Sequence, residues 1–168
     1  MKKIFLLQIT LFAFYYANSQ TATDYFMRGV EKVRLGDYRG AIADLNKAIA
    51  LDPNKGSSYY YTRGVAKDQL GDHRGAIVDF NLVIALDPFD SANYNTRGVA
   101  KARLGDHKGA IADFNEAIML DPISDIAYFN RGKSKIKLGQ KDSGCLDFSK
   151  AGEFGLDRAY DEIRQYCN

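Results

Sequence analysis

The sequence predicts an all-α chain folded as a solenoid of antiparallel helical hairpins. Three observations carry this. The phrase LGDYRGAIADLNKAIALDP, from Leu35 to Pro53, returns as LGDHRGAIVDFNLVIALDP at 70–88 and as LGDHKGAIADFNEAIMLDP at 104–122. Gly36, Gly71, Gly105 and Gly139 mark the register, with steps of 35, 34 and 34 residues. Within each copy, two stretches of helical periodicity are divided by that glycine. A period of this size signals stacked supersecondary units, because one unit cannot bury its apolar face alone.

Each copy reads as two helices. In the first, Asp37 follows Gly36 and can cap the second helix, while Gly36 ends the preceding one in a left-handed conformation. Ala41, Ile42, Leu45, Ala48 and Ile49 then recur at helical spacing, and Pro53 forbids continuation. The first helix of the next copy lies between these stops, at about Ser58 to Leu70. The extra residue of the longer step falls in the connecting NKGSSYYYTR. Gly29, Gly64, Gly98 and Gly132 sit in the middle of first helices, where glycine costs about 1 kcal/mol relative to alanine. That cost, repeated four times, implies a close approach of the two helices.

This pattern resembles the tetratricopeptide repeat family. The second copy supplies Tyr60, Gly64, Ala76, Phe80 and Pro88, and the third supplies Tyr94, Gly98, Ala110, Phe114 and Pro122. The first has Tyr25, Gly29, Ala41, Leu45 and Pro53. The fourth keeps Tyr128, Gly132 and Phe148 but has Gly144 for the alanine and no proline. The resemblance implies a right-handed α-solenoid with four repeats over residues 22–158, at about 22–55, 57–90, 91–124 and 125–158.

Two substitutions depart from the family phrase together. Its leucine is Arg28, Arg63, Arg97 or Arg131, and its second tyrosine is Lys32, Lys67, Lys101 or Lys135. An acidic residue also recurs as Asp44, Asp79, Asp113 and Asp147. Folding a hairpin about its glycine places residues 63 and 79 level, so we read a structural Arg–Asp ladder over a row of ligand-binding arginines.

The ends of the chain differ from its middle. MKK, the apolar run from Ile4 to Ala17 and small residues at Ala17 and Ser19 have the layout of a secretory signal peptide over residues 1–19, cut before Gln20. An uncut anchor is the alternative, but the run is shorter than the roughly 20 residues of a spanning helix. Export to a periplasm or to the outside is the expectation. At the other end, LDRAYDEIRQYCN is read as a closing helix that covers the last apolar face, with residues 159–168 completing it. Leu156, Ala159, Ile163 and Tyr166 face inward. Cys145 and Cys167 would be level if the chain turns back at Gly155. In an exported protein the pair favours a disulfide, with two unpaired thiols as the alternative.

Composition excludes several functions. Of 168 residues, 23 are Lys or Arg and 21 are Asp or Glu, so the charges nearly balance and give no basic footprint for nucleic acid. His73 and His107 take the position of Tyr38 and Lys141, as exposed, interchangeable helix-start residues would. No metal-ligand spacing, nucleophile motif or phosphate loop occurs, so neither enzyme activity nor a cofactor is expected.

The family resemblance implies a groove, lined by the first helices, that holds a peptide or helix of a protein partner. Its positions here are Phe26, Val30, Val33 and Arg34, then Tyr61, Val65, Asp68 and Gln69. Asn95, Val99, Ala102 and Arg103 follow, and then Phe129, Lys133, Ile136 and Lys137. Packing between neighbouring first helices is the alternative use of the apolar members. One subfamily grips carboxyl-terminal chaperone tails with lysines and asparagines. Phe26, Val30, Thr62, Ala92 and Thr96 stand there in this chain, so that clamp is not expected. The expected function is a protein-interaction scaffold, with a self-associating envelope component as the alternative.

Overall fold

The computed structural model describes residues 21–53 and 56–167. The signal-peptide reading of residues 1–19 lies outside them. The described residues form helices and turns, without strands. The helices are α1 (Ala22–Arg34), α2 (Tyr38–Leu51), α3 (Gly56–Gln69), α4 (His73–Leu86), α5 (Ser91–Arg103), α6 (His107–Leu120), α7 (Asp125–Lys137), α8 (Lys141–Glu153) and α9 (Ala159–Tyr166). Each packs on its neighbours in sequence, and the closest pairings are α1 with α2, α3 with α4, α5 with α6 and α7 with α8. This is an all-α, right-handed solenoid of helical hairpins.

Local chemistry sets the boundaries. Asp37, Asp72 and Asp106 cap α2, α4 and α6 by accepting hydrogen bonds from the backbone N–H of Gly40, Gly75 and Gly109. The turns before them pass through Gly36, Gly71 and Gly105 at φ of 80°, 84° and 91°, a region that L side chains avoid. The backbone N–H of Asp72 reaches back to the Lys67 carbonyl at 2.9 Å and closes the end of α3. Helix α8 lacks such a cap, with Gln140 in the aspartate position.

The core lies between the two helices of each hairpin. Ala41, Leu45 and Ala48 of α2 are fully buried, as are Ala76 of α4, Ala110, Phe114 and Ala117 of α6, and Phe148 and Ala151 of α8. The mid-helix glycines explain the fit. A Cβ on Gly64 would stand 2.8 Å from Cε1 of Phe80, and one on Gly98 would stand 2.6 Å from Cε1 of Phe114. Gly29 faces Leu45 and Gly132 faces Phe148 in the same way. The ring lies where a side chain would be.

The C-terminal helix closes the stack. Ala159 is fully buried, and Leu156, Ile163 and Tyr166 pack on Phe129, Phe148 and Ala151. A disulfide joins Cys145 on α8 to Cys167, just beyond α9, with their Cα atoms 5.8 Å apart. No helix of the described residues is long and apolar enough to cross a membrane.

Candidate functional site

The recurring charged residues form a repeated structural unit. Arg63 donates from Nε to Asp79 Oδ2 at 2.9 Å and from Nη2 to Oδ1 at 2.7 Å. Lys67 Nζ lies 2.8 Å from Asp79 Oδ2, so two cations hold one buried carboxylate. The same trio recurs as Arg28, Lys32 and Asp44, as Arg97, Lys101 and Asp113, and as Arg131, Lys135 and Asp147. In three trios the arginine also crosses to the preceding hairpin: Nη1 of Arg63, Arg97 and Arg131 donates to Oδ1 of Asn46, Asn81 and Asn115 at 2.7 to 2.8 Å. Tyr60, Tyr94 and Tyr128 lie beneath these guanidinium groups. Arg63, Arg97 and Arg131 thus bond through Nε, Nη1 and Nη2 to the protein itself.

These contacts act electrostatically on Asp44. Hydrogen bonds from Arg28, and then from Lys32, hold its carboxyl far below the usual carboxylate range, against the opposing effect of burial.

The predicted groove residues fall into two groups. Val30 and Tyr61 stand at 38% and 37% exposure, which leaves a face of each available for contact. Arg34, Arg103, Lys133 and Lys137 are also exposed, and Asn95 and Val99 are half-buried. Others serve packing. Phe26 stacks on Tyr59 of the next first helix at 4.9 Å between ring centres. Val65 packs on Ala76, Phe80 and Ala100, Val33 on the cluster of Ala41, Leu45 and Ala66, and Ile136 on the one around Phe148. Phe129 is 6% exposed, against Phe148 and beneath the guanidinium of Arg158.

Two open cavities lie along the first helices. One, of about 300 Å³, is lined by Ser57, Tyr61, Thr62, Asp87, Asp90 and Asn93 among others. The second, of about 310 Å³, opens between α5 and α7 and includes Val99, Ala102, Arg103, His107, Lys133 and Lys137. Asn130 Nδ2 donates to Asn95 Oδ1 at 3.0 Å and ties α7 to α5. Tyr61 borders the first cavity, and Val99, Arg103, Lys133 and Lys137 border the second, and the two cavities differ in charge.

The histidines are not the exposed positions that their variability implies. His73 Nδ1 is 2.6 Å from Oδ1 of the buried Asp68, whose Oδ2 accepts from Arg103 of the next first helix. The equivalent His107 is half-buried, and its Nδ1 is buried without a hydrogen bond. Asp68 and His73 are five apart across a turn, in one copy only, so no periodicity announced them. No group of acidic, histidine or cysteine side chains among the described residues could hold a metal ion.

This architecture defines a class, the helical-repeat solenoids whose hairpins stack into an interaction surface. Tetratricopeptide repeat models match residues 26–91 and 91–124, more than half of the chain. The chain belongs to the tetratricopeptide repeat family. Among solved structures it is similar to MamA, at 25% identity over 86% of this chain and 84% of that one, with a TM-score of 0.77. The tetratricopeptide repeat protein TTC0263 of Thermus thermophilus shares the fold at 18% identity, covering 85% of this chain and 83% of its own, with a TM-score of 0.69. So does the first tetratricopeptide domain of Spaghetti (RPAP3), solved with the HSP90 peptide SRMEEVD, at 22% identity, 67% of this chain, 91% of that chain and a TM-score of 0.64. No curated protein sequence matches. The fold is that of a protein-interaction scaffold, and it implies protein partners.

Proposed function

We propose that this protein is a non-enzymatic scaffold that binds a peptide or helix of a protein partner in the groove lined by α1, α3, α5 and α7. The observation that carries the reading is the set of half-exposed apolar side chains, Val30, Tyr61 and Val99, along successive first helices whose polar ladder is satisfied internally. Exposed apolar surface on successive elements favours an interaction site, and aromatic anchors dominate binding. The Spaghetti domain, solved with its HSP90 peptide, supports peptide binding as a use of the fold but not the same ligand. Phe26, Val30, Thr62, Ala92 and Thr96 offer no cationic clamp for a chaperone tail. The N-terminal segment and the Cys145–Cys167 disulfide together favour an exported protein acting in an oxidising compartment.

The test is partner capture from native envelope or culture fluid by wild-type protein and by Tyr61→Ala and Val30→Arg. Val30→Arg keeps wild-type melting; Tyr61→Ala, whose ring also packs 5.9 Å from that of Phe80, melts somewhat earlier but stays folded, and both lose most of the captured partner. Ala76→Arg overfills the hairpin and unfolds it. Undiminished capture by both groove variants would remove the reading.

A second reading rests on a different face. Val78, Leu82 and Leu86 repeat every four residues along α4 and, with Phe89, stand exposed at 59%, 41%, 59% and 82%. This stripe would serve a self-associating structural component. Light scattering across a concentration series separates the two, since self-association needs no other molecule.

A further inference from the structure

The second and third hairpins solve the same local problem differently. In the second, Asp68 at the end of α3 accepts from His73 Nδ1 and from Arg103, which reaches over from α5. One repeat later these three positions are Ala102, His107 and Lys137. Both donors persist and the carboxylate is gone. His107 Nδ1 is the side-chain polar atom that is buried without a hydrogen bond among the described residues, and Lys137 has no ion-pair partner among them.

Open space lies beside the vacated position. Ala102, His107 and Lys137 all line the cavity of about 310 Å³ between α5 and α7, together with Arg103 and Lys133. That lining contains no carboxylate among the described residues. The two other cations are partly engaged, Arg103 with Asp68 and Lys133 with Glu162 at 3.7 Å. In the first hairpin the matching positions are Val33 and Tyr38, which pack on the core, and Gln69, so no cation stands there. The imbalance therefore belongs to the third hairpin alone among these three.

We infer that this cavity receives the side-chain carboxylate of an Asp or Glu from a bound partner segment, in the place that Asp68 fills one repeat earlier. Lys137 Nζ is its exposed donor, and His107 Nδ1–H, buried at the cavity wall, meets it once the ring turns toward the cavity, as His73 and Arg103 meet Asp68. The neutral Nδ1 tautomer and the imidazolium both present that proton. Charge-assisted bonds of this kind are the strong ones, and they are stronger still in a partly enclosed site. Val99 beside the cavity gives the neighbouring residue of the segment an apolar seat. The site lies away from Phe26, Val30, Thr62, Ala92 and Thr96, so it is not the chaperone-tail clamp. The inference rests on the groove reading and adds the chemistry of its C-terminal end.

The test follows the ring protons of His107, with His73 as internal reference, during titration with three peptides. These are acetylated, amidated Ala-Leu-Glu-Leu-Ala, its Gln counterpart, and the acetylated Gln peptide with a free terminal carboxylate. The Glu peptide shifts His107 and leaves His73 in place, and the Gln peptide shifts neither. Lys137→Gln weakens the Glu peptide about tenfold, the equivalent of one charge-assisted bond. Ala102→Asp supplies an internal carboxylate, which the fold already accommodates at Asp68, and abolishes the response. A His107 resonance unmoved by the Glu peptide, or moved as far by the Gln peptide, would overturn the site. A stronger response to the free terminal carboxylate would overturn the side-chain assignment. Partner capture lost with Tyr61→Ala but intact in Ala102→Asp and Lys137→Gln would overturn this inference and leave the groove standing. Capture indifferent to Tyr61→Ala and Val30→Arg but lost in Ala102→Asp would do the reverse.

Discussion

Arg63 on α3 and Asp79 on α4, sixteen residues apart, meet through two side-by-side hydrogen bonds of 2.9 and 2.7 Å. Asp79 is 1% exposed, and its Oδ2 also takes Lys67. Removing the carboxylate leaves two cations with little water to replace it. Asp79→Ala therefore destabilises the protein by about 3 kcal/mol, the scale for breaking a buried pair. Urea unfolding measures this, and Asp113→Ala behaves alike. The triple replacement Arg63→Met, Lys67→Met and Asp79→Leu, which strands none of the three charges, is far milder. If Asp79→Ala alone is neutral, the ladder is a surface feature and not a structural one.

Asp44 gives the ladder a pH signature. Its folded-state pKa lies below the ordinary carboxylate value because Arg28 and then Lys32 donate to it. A depressed carboxylate stabilises the fold fully above its unfolded pKa of about 3.9, and the contribution fades as pH falls below that value. Asp44→Asn removes this dependence. Its unfolding free energy, followed from about pH 5 down to about pH 2, falls less steeply than that of wild type. Parallel curves would contradict the assignment.

The glycine at position 64 is a contact surface. Alanine there gains helix propensity, worth about 1 kcal/mol, but its Cβ lies 2.8 Å from a buried Phe80 ring carbon. The ring has nowhere to retreat, since Phe80 is 1% exposed. Overpacking of this type costs about 1–3 kcal/mol, so Gly64→Ala lowers the melting temperature. A rise would show that the hairpin opens without strain.

The Cys145–Cys167 bridge spans 22 residues and holds α9 on α8. In the chain-entropy model, its loss costs about 3 kcal/mol. Reduction, or the pair of serine substitutions, lowers the global melting temperature. Amide exchange rises first in α8 and α9 and last in α3 to α6, because solenoid contacts are between neighbours. Uniform exchange along the chain would contradict a local role.

Much of this was legible in the amino-acid sequence because the repeat averages out noise. The aspartate caps, the left-handed glycines and the Arg–Asp pairing all recur in fixed register, and a hairpin's geometry converts that register into contact. What recurred without an obvious partner was read less completely. Lys67 and Asn46 join the ladder across a helix turn and across a hairpin, and neither distance is fixed by hairpin symmetry. The groove list assigned one helix face to the solvent, but Val33, Val65 and Ile136 lie at its inner edge and pack on the core. Phe129 is covered because α9 takes the place of a next first helix, with Arg158 over the ring. His107 reads as an exposed helix-start residue, and is not one, because its character depends on Ala102, a residue that signals nothing by itself.

The central claim is that partners bind the groove formed by the first helices. Site-specific photo-crosslinking tests it most directly. A benzophenone side chain is placed at Val30 or Val99, bordering the groove, and at Val78 or Leu82, on the exposed face of α4, and the protein is irradiated in native extract. The groove positions crosslink to one common partner, and the α4 positions do not. Crosslinks confined to Val78 and Leu82 would contradict the account.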